Sequence, residues 1–480
     1  MRTCVCIVTV MLAILTGGAA AAEPSLRERA AAGLKKAVDF FDREVSCEGG
    51  YLWRYSEDLQ RREGEGKAAP TTVWVQPPGT PSVGMALLEA YENTGDKHYL
   101  QAAQRTGMCL VRGQLRSGGW DYQITFDPKQ RARYDYRVEP AGKGKLRNTS
   151  TLDDDTTQAA VRMLMRLDKA LDVQDQQIHE AALFGLEKLM AVQYPNGAWP
   201  QRFDSPPDPQ QFPVKKANYP ETWSKTFPQV DYKGFYTFND NALNDVIDVM
   251  FEAWHTYGDN QYRASAERAG GFILLAQMPD PQPGWAQQYN TDMQPAWARK
   301  FEPPAITGGE SHGVVQALFQ LYRETGDKKY LEPIPRAIAY YRSSLLPGGQ
   351  LARFYELKTN RPIYFTKDYQ YTYSDADMPT HYSFKGGDWT GSAERELQQL
   401  LKLKPEDLRK KPARRPSQAS PKLVSQVQSV LADLDDRGRW AEDGRLRYQG
   451  DDDSTRRVID CTTFIRNVRT LSAYLATKEE

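Results

Sequence analysis

One pattern recurs along most of the chain and limits what it can fold into: an amphipathic segment, a short polar turn, a second amphipathic segment, then a Gly-aromatic stretch. Four copies run VGMALLEAYENTGDKHYLQAAQRTGMCLVRGQLRSGGWDYQ, TTQAAVRMLMRLDKALDVQDQQIHEAALFGLEKLMAVQYPNGAWPQRF, NDVIDVMFEAWHTYGDNQYRASAERAGGFILLAQMPDPQPGWAQQY and SHGVVQALFQLYRETGDKKYLEPIPRAIAYYRSSLLPGGQLARFYE. An earlier, less regular copy begins at LRERAAAGLKKAVDFF and ends in GGYLWRY. Apolar residues fall at helical spacing, as in Met85, Leu88 and Tyr91 or Val314, Leu318 and Tyr322. Three turns contain Gly-Asp, where Gly accepts the left-handed backbone that ends one helix and Asp caps the next. Each unit therefore reads as an αα-hairpin, which cannot bury its apolar faces alone. Packed side by side and closed into a ring, the units predict an all-α protein, an α/α toroid built from repeated αα-hairpins. The Gly-aromatic segments at Trp53, Trp120, Trp199 and Trp285 then emerge at one end, the expected functional face.

Two stretches fall outside the repeat. The first residues, MRTCVCIVTVMLAILTGGAAAAEP, read as a signal peptide over 1–22, with one Arg, a short apolar run and an A-x-A pattern. The run is too short to span a bilayer, and nothing later resembles a span, so a secreted or periplasmic protein with no membrane association after cleavage is expected. Residues 405–422, rich in Pro and basic side chains, read as an exposed loop inside a single catalytic domain over 23–480. The formal net charge of zero supplies no field that would steer the chain to nucleic acid. Cys47, Cys109 and Cys461 remain after the leader, an odd number that implies no disulfide framework: one bridge with a free thiol, or three free thiols. The histidines are scattered, and no Cys/His spacing suggests zinc.

The polar clusters at the unit junctions carry the chemistry. In STLDDDTTQAA, Asp153, Asp154 and Asp155 precede an amphipathic helix. Capping accounts for one of them, but three adjacent carboxylates repel one another, and a divalent cation held by hard oxygen ligands relieves that repulsion. In GFYTFNDNALNDVI, Asn239, Asp240 and Asn241 stand at the same point of the next unit, again with one residue expected to cap. Toroid closure would bring both clusters to one rim. Arg299 and Lys300 precede Glu302, with a salt bridge to Glu302 or Glu310 as the plain alternative to a functional role. Arg353 and Arg361 follow the next hairpin. Four cations at the ends of two units suit a chain of carboxylated sugars, because Arg pairs bidentately with carboxylates.

The segments QYPNGAWPQ, TFNDNAL, GWAQQY, WARKFEPP and ARFYELKTNRP, in this order between about residues 145 and 375, resemble those of the family 10 pectate lyases. The resemblance implies an α/α toroid that cleaves polygalacturonate, an anionic polysaccharide, by β-elimination with calcium as cofactor; a monomer is expected. It implies that Arg299 removes the C5 proton, that Asp153, Asp154 and Asp240 bind the metal, and that Lys300, Arg353 and Arg361 hold substrate. Trp199 and Trp285 are expected to stack on sugar rings, against the alternative that they are core. STLDDDTTQ departs from the family's D-N-x-A-T type of segment, with Asp at 154 in place of Asn.

Other chemistries fit parts of the pattern. A glycoside hydrolase would cast Asp153 and Asp240 as acid and base. A terpene cyclase also uses repeated helical hairpins, but the D-D-x-x-D spacing is absent and an export signal would separate it from diphosphate substrates. A non-catalytic exported carbohydrate-binding protein is the third alternative.

Overall fold

The computed structural model describes residues 24–140, 144–409 and 418–478, so the expected leader over 1–22 lies outside the described residues. Thirteen α-helices are present among those described. They are α1 (Leu26–Phe40), α2 (Thr80–Thr94), α3 (Lys97–Gly113), the single turn α4 (Pro128–Arg131), α5 (Thr156–Ala170), α6 (Gln176–Ala191), α7 (Ala242–Tyr257), α8 (Asn260–Ala276), α9 (Glu310–Thr325), α10 (Ile334–Ser343), α11 (Thr390–Lys402), α12 (Pro421–Ala432) and α13 (Cys461–Leu475).

The Gly-Asp turns fold as their chemistry requires. Gly95, Gly258 and Gly326 take φ of 74°, 76° and 74° at the ends of α2, α7 and α9. The next residues, Asp96, Asp259 and Asp327, each accept a backbone N–H from two residues on. Each turn thus serves both helix ends.

The hairpins build an α/α toroid. Its inner helices follow one another in the order α13, α2, α5, α7, α9, α11, with α3, α6 and α8 packed outside their partners. Ion pairs bridge each inner neighbour to the next: Arg469 to Glu89, Arg166 to Glu92, Arg162 to Glu252, His255 to Glu324 and Arg323 to Glu396. Apolar surface faces outward into the space between the two helix layers, where a continuous core holds Leu87, Leu164, Val246, Leu318 and Leu471.

Three tryptophans of the Gly-aromatic segments, Trp120, Trp199 and Trp285, have a common structural task that Trp440 repeats, whereas Trp53 donates its ring N–H to the Gln76 carbonyl. Trp120, Trp199, Trp285 and Trp440 donate their ring N–H to the carbonyls of Leu110, Leu189, Ile273 and Val430. Each acceptor is one of the last four carbonyls of an outer helix, groups that have no partner within the helix. Trp199 and Trp285 are 1% and 0% exposed, so the expectation that they stack on sugar rings is corrected. Both faces of each ring are packed in the core, and the ring edge closes a helix end. Tyr355 is buried in the same way.

Short antiparallel ribbons join the inner helix starts. Ser150–Thr151 pairs with Arg202–Phe203, and Tyr236–Thr237 pairs with Gln288–Tyr289. A four-stranded sheet of Ala305–Thr307, Phe354–Glu356, Pro362–Phe365 and Tyr371–Thr372 stands beside them over a second core of Trp297, Phe301, Phe354 and Phe365. In the Pro-rich stretch expected as a loop, 410–417 lie outside the described residues; Pro405–Asp407 form a 3-10 turn, Leu408 is buried and α12 starts at Pro421. Cys47, Cys109 and Cys461 are free thiols, the latter two buried. No helix of the described residues is long and apolar enough to cross a membrane.

Candidate active site

Two turns of identical design open α5 and α7. In Asp153–Asp155, Asp154 and Asp155 have φ of 49° and 56°; in Asn239–Asn241, Asp240 and Asn241 have φ of 48° and 58°. Consecutive left-handed residues with side chains cost on the order of 1–3 kcal/mol each, least for Asp and Asn, whose short polar side chains suit that region. The expectation that a residue of each cluster caps its helix is corrected: no side chain of either turn makes a capping hydrogen bond. The left-handed backbone turns the carboxylates away from the helix N–H groups and toward each other.

The result is a trio of Asp153, Asp154 and Asp240, with one carboxylate oxygen of each lying within 4.8 Å of the others. Tyr122 Oη (2.6 Å) and Gln201 Nε2 (2.9 Å) donate to Asp153, and Gln76 Nε2 (2.8 Å) donates to Asp154. Asp155 points elsewhere and pairs with Arg162. Burial, then the charges of Asp153 and Asp240, push Asp154 up to about 7, against the pull of Arg299. Burial and Asp153 push Asp240 up to about 6, with Arg299 again opposing. Asn239 Oδ1 is buried without a hydrogen-bond partner. Crowded carboxylates, elevated affinity for protons and an unmatched amide oxygen are what an oxygen-preferring divalent cation would satisfy.

Facing the trio is Arg299, whose Nη2 lies 4.0 Å from Asp240 Oδ2 and 2.5 Å from Glu302 Oε1. Burial lowers the guanidinium's proton affinity, but Glu302 outweighs it and the net shift is upward. Arg353 joins the group through Glu310 and lies 4.4 Å above the Tyr382 ring. Lys300 is exposed, with its ammonium 3.4 Å from the Tyr369 ring centre. Arg361 stands apart from the trio's contacts, its guanidinium 3.5 Å from the centre of the Tyr373 ring.

Several members of this constellation escaped the sequence reading. Tyr122 and Gln201 lie just after the buried tryptophans of their repeats, a position that could have singled them out. Tyr382 sits in an irregular segment and carries no such mark. Tyr232, from the long connection before α7, lies among Arg299, Glu302, Asp153 and Arg202.

With the acidic trio and its facing arginine in one site, the comparison with known families decides the class. Residues 130–351 match the family model described as pectic acid lyase. The chain is accordingly an enzyme of the lyase class, and the motif resemblance to pectate lyases stands. The matched stretch contains the trio and Arg299 and ends just before Arg353. Among solved structures, the family 10 polysaccharide lyase of Cellvibrio cellulosa is 20% identical, with 68% of this chain and 98% of that one covered and a TM-score of 0.46. A variant of that enzyme in complex with trigalacturonic acid is also 20% identical, over 67% of this chain and 98% of the other, with a TM-score of 0.45. The family 76 α-mannanase of Bacteroides thetaiotaomicron is 9% identical over 94% and 96% of the two chains, with a TM-score of 0.41. No curated protein matches the lyase.

Proposed function

We propose that the protein is an exported, calcium-dependent pectate lyase, its residues from 23 onward a single catalytic domain, cleaving polygalacturonate by β-elimination. One observation carries the reading: an acidic trio at two inner-helix starts faces an arginine, all within the stretch that matches pectic acid lyases.

In this reading Asp153, Asp154 and Asp240 hold calcium, the donor set being all oxygen and crowded enough to need a cation. Bound calcium supplies neutralisation of the uronate carboxylate, which acidifies the C5 proton. The chain's own groups do the rest. Tyr122, Gln201 and Gln76 orient the carboxylates of Asp153 and Asp154. Arg299 takes the C5 proton, the C5–H electron pair becomes the C4–C5 double bond of the unsaturated uronate, and the C4–O bond breaks with the departing oxygen taking a proton from water. Because Glu302 favours the guanidinium form of Arg299, the base is available only toward alkaline pH, and otherwise Arg299 is a fixed positive charge. The positive charge that Arg299 gains with the proton, together with Arg353, stabilises the negative charge that develops on the carboxylate in the transition state. Lys300 and Arg361, both exposed, bind further uronates along the chain.

The test is direct. The protein is incubated with polygalacturonate and calcium at alkaline pH, and the ultraviolet absorbance of the unsaturated uronate is followed. New reducing ends without that absorbance mean hydrolysis, and binding without new ends means a non-catalytic sugar-binding protein. Either outcome refutes the lyase reading.

A further inference from the structure

We infer that Glu302 is the positioning residue of the reaction, fixing the guanidinium of Arg299 beside Asp240. The inference rests on the role proposed above for Arg299.

Glu302 is 1% exposed, whereas the side chain of its partner Arg299 is 39% exposed. The carboxylate grips Arg299 at both ends: Oε2 accepts the Arg299 backbone N–H at 3.1 Å, and Oε1 accepts from Nη2 at 2.5 Å. The backbone closes the same loop, with Ala298 N donating to Glu302 O at 3.1 Å and Glu302 N donating to Arg299 O at 2.8 Å. A long side chain whose two ends are tied to one buried group loses the rotamer freedom that would otherwise spread its guanidinium over several positions.

Glu302 is itself held. Tyr382 Oη donates to Oε1 at 3.1 Å, so the carboxylate cannot swing away without breaking a third bond. The Arg299 guanidinium also packs 5.2 Å from the Phe301 ring centre and 5.7 Å from that of Tyr382. The neighbouring cation does not compete for this carboxylate in direct pairing, since Arg353 pairs with Glu310. Arg299 Nη2 also lies 4.0 Å from Asp240 Oδ2, on the side where the reacting sugar would lie in this reading. A group that must meet a C–H bond in a narrow geometry loses about a hundredfold in rate when misplaced by about 1 Å.

The wild type, Glu302→Gln and Glu302→Asp are compared with polygalacturonate and calcium, with initial rates read from the unsaturated product. Thermal melting confirms that each variant is folded. Positioning predicts a kcat about a hundredfold lower in Glu302→Gln, although loss of the carboxylate charge eases deprotonation of Arg299, with KM changed by less than about threefold. Unchanged kcat in the folded variant, or a raised KM with unchanged kcat, overturns the inference. Should the Gln form not fold, the Asp form is read by the same criteria, because it keeps the charge and withdraws the carboxylate by one methylene. A second readout separates positioning from mere support of the turn. Millimolar guanidinium should restore turnover to Arg299→Ala, where Glu302 remains to orient it, but not to Arg299→Ala/Glu302→Gln; equal restoration of both overturns the inference. A wild type that makes no unsaturated product refutes the lyase reading itself, whereas an active wild type with fully active Glu302 variants refutes only this inference.

Discussion

Asp154 and Asp240 occupy the same position in two turns of matching left-handed backbone, at φ of 49° and 48°, and their carboxylates converge across the starts of neighbouring inner helices. Neither residue is used to cap the helix it precedes. Both are therefore carboxylates assembled against their own repulsion, at a cost that a cation would offset.

Burial of these carboxylates, together with that repulsion, gives stability a pH dependence of definite sign. Asp154 and Asp240 have folded values raised to about 7 and about 6, so the folded state is favoured while they are protonated and loses that advantage as pH rises. In the presence of a chelator, the melting temperature should fall between about pH 4 and pH 7. With saturating calcium the fall should disappear, because binding to the ionised form is linked to folding. Melting curves across that range with and without calcium check both signs, and activity should vanish with the chelator.

Replacing one carboxylate of the trio should separate stability from function. Asp154→Asn should raise the melting temperature of the calcium-free protein at pH 8 and weaken calcium binding, as read by titration calorimetry. A variant that keeps wild-type calcium affinity would remove Asp154 from the ligand set.

Arg299→Ala should lower kcat by on the order of a thousandfold, the usual scale for loss of a general base, while polygalacturonate binding stays within a few-fold of wild type. Rates from the unsaturated product and binding measured by calorimetry check the two halves separately.

Trp285→Phe should act on stability and not on substrate. The ring is fully buried and its N–H closes the end of α8 at Ile273, so its loss leaves a buried carbonyl unmatched at a cost of about 1–3 kcal/mol. Urea unfolding should register that cost, and KM for polygalacturonate should not move.

Glu356 sets a second pH limit, at the acid end. Burial pushes its carboxyl up, but the hydrogen bonds from Lys225, Thr359 and Tyr373 prevail and hold it at about 2. Its contribution to stability is therefore complete above its ordinary range near 4.5 and is lost as pH falls toward 2. Lys225→Met should lower the melting temperature at pH 7 and narrow the difference from wild type near pH 2.

Helix spacing, the Gly-Asp turns and the repeat were enough in the sequence to determine hairpins and their closure into a toroid, because these depend on local backbone preferences and on apolar faces that no single hairpin can cover. The acidic clusters were legible too, since their place in the repeat is a matter of counting residues. Tertiary structure decided what those residues do. Trp199 and Trp285 went into the core, where unmatched carbonyls at the outer helix ends lie within reach of their ring N–H groups. Asp155 was separated from Asp153 and Asp154 by a backbone turn that sends it to Arg162. Arg299 and Arg353 reached the rim beside the trio, while Arg361, eight residues beyond Arg353, pairs with Tyr373, because the strand Phe354–Glu356 and the turn after it carry the chain away. Which carboxylates meet, and which cation faces them, is set by closure of the ring, a property of packing among residues far apart in the chain.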